Sequence, residues 1–228
     1  MQPNFSDKKL LIFDLDGTLI DSVPDLALAI NQMLQTLGRA TFEEEVIRQW
    51  VGNGAKILVE RSLSASHEID PNLDPSLVEH ALDIFLQHYQ THLCDRTQPY
   101  PHVQESLKEL QSWGYTLTII TNKPAQFVEP ILKNLALDRF ITHYLGGDSL
   151  PHKKPHPLPL QHLCKTLNIP LSLAVMIGDS RNDLIAAQNA PMQSIAVTYG
   201  YNQGENLADY YPTAIIDNFA DILPLFKR

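Results

Sequence analysis

The sequence of 228 residues contains little cysteine and carries a deficit of positive charge. Its two cysteines, Cys94 and Cys164, lack the CxxC spacing of a metal or redox site. A disulfide framework and a structural zinc site are therefore not expected. Free thiols are typical of a reducing compartment, which favours a cytoplasmic location.

Lysine and arginine number 17 against 26 aspartates and glutamates, so the formal net charge is −9. Nucleic-acid binders and proteins of anionic membrane surfaces need a basic face, and neither kind of partner is expected. Long apolar runs are also missing, since those at residues 10–13 and 173–177 are too short for a membrane span or a signal-peptide core. An anionic substrate would need local positive charge or a metal ion.

The order of apolar patterns along the chain predicts the fold class. Residues 10–13 form a continuous apolar run, typical of a strand buried on both faces of a sheet. Helical spacing follows in residues 24–37, 43–50, 55–63 and 76–93. Further strands, alternating with helices, are predicted at residues 116–120, 144–145, 174–177 and 194–197. This alternation predicts an α/β fold with a Rossmann-like parallel sheet and helices on both faces.

The first strand is separated from the others by the helical stretch. A single buried strand cannot stand alone among helices, so it is expected to join the later sheet. Residues 1–19 and 96–228 are therefore predicted to form the α/β catalytic core. Residues 20–95 are predicted to form a helical cap that is inserted after the first strand.

Polar side chains follow the predicted strands, and the carboxyl ends of parallel strands are where reactive groups gather. The polar stretches are Asp14-Leu15-Asp16-Gly17-Thr18, Thr121-Asn122-Lys123, Lys153-Lys154-Pro155 and Gly178-Asp179-Ser180-Arg181-Asn182-Asp183. A helix cap or a loop is the alternative explanation for each alone, although the first stretch, directly after a buried strand, is a much sharper signal than Lys154. Together, in this order, they favour an enzyme with a carboxylate cluster and basic and hydroxyl partners.

This order of motifs resembles the haloacid-dehalogenase-like hydrolase superfamily over nearly the whole chain, and the inserted helices resemble its cap placed directly after the first strand. Several stretches are similar to the phosphoglycolate phosphatase subgroup, namely residues 50–55, 59–63, 122–124, 153–157 and 197–202. The resemblance implies a Mg²⁺-dependent phosphatase that hydrolyses 2-phosphoglycolate to glycolate and phosphate through an aspartyl-phosphate. Its partner would be a small phosphorylated metabolite, and the protein a monomer or homodimer.

The resemblance also implies roles for the carboxylates. A carboxylate can attack phosphorus only when the anionic phosphoryl group is neutralised, and Mg²⁺ with oxygen ligands serves that purpose. Asp14 is the expected nucleophile. Asp16 is expected to protonate the leaving alcohol and later to activate water, while its backbone carbonyl binds the metal. The expected metal-binding residues are Asp14, Asp16, Asp179 and Asp183.

Contacts to phosphate and substrate are expected from hydroxyl, amide and basic side chains. Thr121 and Lys154 would hold the phosphoryl oxygens, and Lys154 would also screen the charge of Asp14. Thr18 and Asn122 are further candidate substrate contacts. The glycine that follows Asp16 lets the backbone turn toward the phosphate.

In the helical insert, Gly52-Asn53-Gly54 would open a helix whose N–H groups and dipole attract the substrate carboxylate, with Arg61 assisting. An interhelical turn with solvated bases explains the same residues, and both interpretations stay open. Alternative functions are a phosphatase or mutase for another small ester, such as a sugar phosphate or pyrophosphate, and a catalytically silent binding protein. Pro191 departs from the family, which usually has glycine near this position, so the end of the preceding helix is in question.

Overall fold

The computed structural model describes residues 3–227. The chain divides into two compact units: the first ends at Asp21 and resumes at Pro99, and the second is the insert Ser22–Gln98. The sequence predicted an insert over residues 20–95. Each unit has its own packed interior.

The first unit is built on a parallel sheet, as the strand pattern predicted. Strands of the chain, in order, are β1 (Leu10–Phe13), β2 (Ile20–Asp21), β3 (Gln98–Pro99), β4 (Thr116–Ile120), β5 (His143–Leu145), β6 (Ala174–Gly178), β7 (Gln193–Val197) and β8 (Ala214–Ile216). Six of them form one sheet in the order β5-β4-β1-β6-β7-β8, and every neighbouring pair is parallel. The first strand therefore lies inside the sheet, between β4 and β6.

Helices account for the insert and for the connections of the sheet. Those of the second unit are α1 (Val23–Thr36), α2 (Glu44–Arg48), α3 (Ala55–Ser64) and α4 (Pro75–Thr91). Those of the first unit are α5 (Val103–Ser112), α6 (Ala125–Asn134), α7 (Leu158–Thr166), α8 (Arg181–Asn189) and α9 (Ile222–Phe226). Within residues 3–227, no helix has the length and apolar character to cross a membrane.

Both faces of β1 are covered, which explains its unbroken apolar sequence. Successive side chains of a strand point to opposite faces. Leu10 and Ile12 belong to a buried cluster that includes Leu160 of α7 and Ala186 of α8. On the other face, the ring of Phe13 lies 6.0 Å from that of Phe219. The sheet thus has helical layers on both sides, as predicted.

The two ends of the second unit meet at a buried carboxylate. Asp25, in the first turn of α1, is fully buried. It accepts hydrogen bonds from the N–H groups of Arg96 and Thr97, at 3.0 and 2.8 Å, and from the Thr97 hydroxyl at 2.6 Å. Because buried donors need acceptors, this carboxylate fixes the returning segment to α1.

The end of α8 carries backbone strain. The helix ends at Asn189, and the following residue, Ala190, has an ordinary φ of −96°. Pro191 has a φ of +27°, far from the roughly −65° that its ring prefers. The sequence questioned this helix end, and the structure places the strain one residue beyond Ala190.

Candidate active site

Three neighbouring strands of the first unit bring the predicted site residues to one edge of the sheet. Phe13, the last residue of β1, is in register with Ile119 of β4 and with Ile177 of β6. Asp14 comes next, and its N–H donates to the Ile177 carbonyl at 2.9 Å. Thr121 and Asp179 follow the ends of the two flanking strands, so they lie at the same edge as Asp14.

The centre of this edge is a compact group of acids. Asp14, Asp179 and Asp183 each offer a carboxylate oxygen, and these oxygens lie within 4.8 Å of one another. Like charges at this spacing repel, so such a group needs a cation nearby. The described side chains supply two candidates, both lysines.

Lys154 is the cation at the centre, and it is almost completely buried. Its Nζ lies 3.0 Å from Asp14 Oδ1 and donates to Asp183 Oδ1 at 2.6 Å. Burial opposes its charge, but the carboxylates of Asp14 and Asp183 outweigh burial, so the pKa of Lys154 is raised above its usual value. The lysine therefore stays charged and joins two carboxylates.

The two oxygens of Asp14 have different surroundings. Oδ1 accepts the Leu15 N–H at 2.7 Å and faces Lys154. Oδ2 accepts no hydrogen bond from residues 3–227, so its lone pairs remain available. Burial raises the pKa of Asp14 from 3.8 to about 7, with Lys154 opposing and Asp183 and Asp16 adding to the rise. A cation that binds at this group would favour the ionised carboxylate.

Asp179 is oriented by donors to both of its oxygens. The Thr18 hydroxyl donates to Oδ1 at 2.7 Å, and the Tyr201 N–H donates to Oδ2 at 2.7 Å. Gly17 permits this approach: it has a φ of +87°, and a Cβ there would lie 2.2 Å from Asp179 Oδ2. Burial, together with the charges of Asp183 and Asp14, raises the pKa of Asp179 well above its usual value.

Asp183 is held by the start of its own helix. Ser180 precedes α8, and its N–H and hydroxyl donate to Asp183 Oδ2 at 3.1 and 2.8 Å. Oδ1 accepts from Lys154, and the side chain is fully buried. The helix cap therefore fixes the carboxylate that faces the lysine.

A second ion pair involves a residue to which the sequence motifs assigned no role. Lys123 Nζ donates to Asp16 at 2.9 Å to Oδ1 and 3.2 Å to Oδ2. The lysine side chain is only 3% exposed and that of Asp16 only 13%, so the pair is shielded from water. The available signal was the position of Lys123, two residues after the strand-end Thr121.

Thr121 and Asn122 hold the loops around both lysines. The Thr121 hydroxyl oxygen accepts the Lys123 N–H at 3.2 Å. The Asn122 side chain donates to the Lys154 carbonyl at 3.1 Å. Thr18, the remaining candidate for substrate binding in this unit, is fully buried, and its hydroxyl donates a hydrogen bond to Asp179. These contacts order the loops that carry the charged groups.

The donor set fits a hard divalent cation. Asp14, Asp16, Asp179 and Asp183, when ionised, exceed the charges of Lys123 and Lys154 by two. Carboxylate and carbonyl oxygens are the ligands that Mg²⁺ prefers. One divalent cation would balance the charge of the group.

The candidate residues of the second unit form a loop that leads into α3. Gly54 directly precedes the helix, which begins at Ala55. Arg61 is buried, and its guanidinium donates to the Trp50 carbonyl at 2.7 Å and to Asn53 Oδ1 at 3.1 Å. A third bond, from Nε to the His67 carbonyl, is 3.0 Å long. Arg61 therefore holds the loop around Gly52 and Asn53 in place.

Comparison with known proteins adds an independent observation. A family model described as haloacid dehalogenase-like hydrolase matches residues 11–197. A phosphoglycolate phosphatase of Colwellia psychrerythraea is 51% identical over 97% of this chain and 98% of its own length, and one of Psychrobacter arcticus is 47% identical over 95% of each. The crystal structure of a predicted phosphoglycolate phosphatase from Haemophilus somnus has a TM-score of 0.90 at 38% identity, covering 97% of this chain and 99% of that one. The chain belongs to the haloacid dehalogenase-like hydrolase family.

Proposed function

We propose that the protein is a Mg²⁺-dependent phosphatase that hydrolyses 2-phosphoglycolate to glycolate and phosphate. The observation that carries the proposal is the position of Asp14: its Oδ2 accepts no hydrogen bond from the described residues, its Oδ1 faces Lys154, and two further carboxylates lie close by. A nucleophile needs an accessible lone pair, and an anionic substrate needs positive charge around it. Asp14 combines both conditions.

In the proposed reaction, an Asp14 oxygen attacks phosphorus and the bond between phosphorus and the ester oxygen breaks. Asp16 enters this step as the protonated acid and gives its proton to the leaving oxygen, which releases glycolate and leaves an aspartyl-phosphate. Asp16 then takes a proton from water as the water oxygen attacks phosphorus. Cleavage of the bond to Asp14 frees phosphate and restores both carboxyl groups to their starting states.

The other charged groups have supporting parts in this scheme. Asp14, the Asp16 carbonyl, Asp179 and Asp183 would hold the cation, which supplies positive charge to the phosphoryl oxygens when bound. Lys154 offers a fixed ammonium beside Asp14, and Thr121 a hydroxyl at the same strand edge. Thr18 and Tyr201 keep Asp179 oriented, because each donates a hydrogen bond to one of its two oxygens. Each carboxylate oxygen has a further lone pair, so Asp179 can still bind the cation.

The identity of the ester is supported by the relatives. Proteins named phosphoglycolate phosphatase match nearly the whole of this chain, including the helical insert. Within the insert, Gly52, Asn53 and Gly54 are the candidate substrate contacts of this proposal, and Arg61 orders their loop. Other small phosphate esters remain the alternative substrates, because the motifs of the first unit serve any of them.

Phosphate release from a panel of esters tests the proposal. The purified protein is assayed with Mg²⁺ on 2-phosphoglycolate, hexose phosphates, pyrophosphate and nucleotides. We expect the highest kcat/KM on 2-phosphoglycolate, loss of turnover on chelation, and loss by about 10³-fold or more in Asp14→Asn. Asp138→Asn, an exposed acid of the same unit, is the matched control and keeps full activity. Faster turnover of another ester refutes the substrate, and no turnover of any refutes the enzyme.

A further inference from the structure

The ion pair between Lys123 and Asp16 is a second charged centre beside the acid cluster, which consists of Asp14, Asp179 and Asp183. Lys123 Nζ contacts both oxygens of Asp16, at 2.9 and 3.2 Å. Among residues 3–227, two buried lysines lie at this edge of the sheet: Lys123, and Lys154, which is engaged with Asp14 and Asp183. The two ammonium groups therefore serve different carboxylates.

The backbone around Lys123 is held in place by the loop after β5. The Gly147 N–H donates to the Lys123 carbonyl at 2.8 Å. A Cβ at Gly147 would lie 2.4 Å from the Asn122 carbonyl oxygen, so only glycine allows this approach. The Lys123 N–H also donates to the Thr121 hydroxyl oxygen, so the lysine projects from a fixed loop. A charge that is placed so firmly is suited to recognition.

Under the proposed function, Asp16 reaches the oxygen of the leaving alcohol. Lys123 Nζ lies 2.9 and 3.2 Å from the two oxygens of Asp16, so a hydrogen bond of about 2.7 Å from either oxygen to the leaving oxygen puts Nζ within about 6 Å of it. In 2-phosphoglycolate the carboxylate carbon lies two bonds from the same oxygen. A carboxylate in this position falls within reach of the ammonium, whereas the phosphoryl group lies on the side of Asp14 and Lys154.

We propose that Lys123 is a specificity-determining residue that pairs with an anionic group on the leaving alcohol. The inference rests on the proposed function and goes beyond it, because it assigns recognition of the carboxylate to the first unit. It names the preferred substrate class as phosphate monoesters whose alcohol carries a carboxylate next to the ester carbon. Esters with a neutral group at that position lack the partner of the buried ammonium.

Two esters that differ only at this group provide the test: 2-phosphoglycolate and 2-hydroxyethyl phosphate, in which CH₂OH replaces the carboxylate. The measured quantity is the ratio of their kcat/KM values in wild type, Lys123→Met and Lys123→Gln. This ratio does not depend on the fraction of folded enzyme, so a partly unfolded variant still gives an answer. Lys123→Arg keeps the charge, and Lys133→Met removes an exposed lysine of the same unit.

We expect the ratio to fall about 10- to 100-fold in Lys123→Met and Lys123→Gln, to recover largely in Lys123→Arg, and to stay unchanged in Lys133→Met. An equal loss on both esters would assign Lys123 to the positioning of Asp16 alone and overturn the inference, as would an unchanged ratio. Wild-type turnover of hexose phosphates or pyrophosphate with neither test ester cleaved would refute the proposed substrate, and the inference with it.

Discussion

Replacement of Lys154 by methionine tests the electrostatic structure of the site. The substitution keeps a long side chain but leaves Asp14 and Asp183 without the ammonium that lies 3.0 and 2.6 Å from them. Removing one partner of a buried ion pair costs about 3–5 kcal/mol, because the remaining charge stays desolvated. We expect the free energy of unfolding to fall by that amount without metal, which lowers the Tm by about 6–20 °C for a chain of this size.

Magnesium separates this reasoning from a simple packing defect. A divalent cation at the acid cluster would neutralise Asp14 and Asp183 in place of the ammonium. In the absence of Lys154, the bound cation would also be repelled less. Saturating Mg²⁺ should therefore stabilise Lys154→Met more than it stabilises wild type. Urea unfolding with and without Mg²⁺ measures both quantities, with the exposed Lys133→Met as a control that changes little. A loss below about 1 kcal/mol, or equal stabilisation of both proteins by Mg²⁺, would refute the argument.

Three further predictions concern protonation, thiol reactivity and backbone strain. Because the pKa of Asp14 is raised from 3.8 to about 7, the folded metal-free protein holds a proton that the unfolded chain has released; its free energy of unfolding should fall as the pH rises from about 4 to 7. Urea midpoints across this range measure the fall, which should be smaller in Asp14→Asn, and an equal slope in both proteins would contradict it. Burial raises the pKa of Cys164 to about 11, so little of its reactive thiolate is present at pH 8. Iodoacetamide at this pH should therefore modify the half-buried Cys94 first, and equal rates by mass spectrometry would contradict this order. Pro191→Gly relieves strain of about 1–3 kcal/mol, and the added freedom of the unfolded chain offsets about 0.5–1 kcal/mol of this, so the Tm should rise by up to about 10 °C; calorimetry that showed a lower Tm would refute the strain.

The strands of the sheet could be predicted from the sequence where their side chains are fully buried, and less well at the edge of the sheet. The run at residues 10–13 became β1 with the predicted bounds, because a strand covered on both faces is apolar throughout. Strand β8, Ala214–Ile216, was not predicted. It has three residues at the edge of the sheet, and its middle residue, Ile215, is 44% exposed, so it leaves almost no periodic pattern. Helix α2 is shorter than its predicted 43–50, with bounds Glu44–Arg48.

The candidate site shows the same division between pattern and geometry. Grouping Asp14 with Asp179 followed from the rule that parallel strands end at a common edge. The contact of Tyr201 with Asp179 could not be predicted, because its donor is a backbone N–H that any residue possesses. The pairing of Lys123 with Asp16 depends on loop conformation, which residue types do not specify. The direction of Arg61 is a similar case, since its partners are backbone carbonyls and an amide oxygen.

The buried carboxylate of Asp25 has a consequence for the order of folding. Pairing Leu10 of β1 with Thr116 of β4 requires the closure of a very long loop, and the entropy lost grows with the length of flexible chain. Because Asp25 joins the start of α1 to Thr97, a folded insert already brings its two ends together. The flexible chain that must still close when β1 pairs with β4 is then shorter by the length of the insert. An insert that closes on itself in this way is a module that a parallel sheet can accept between adjacent strands with little kinetic penalty.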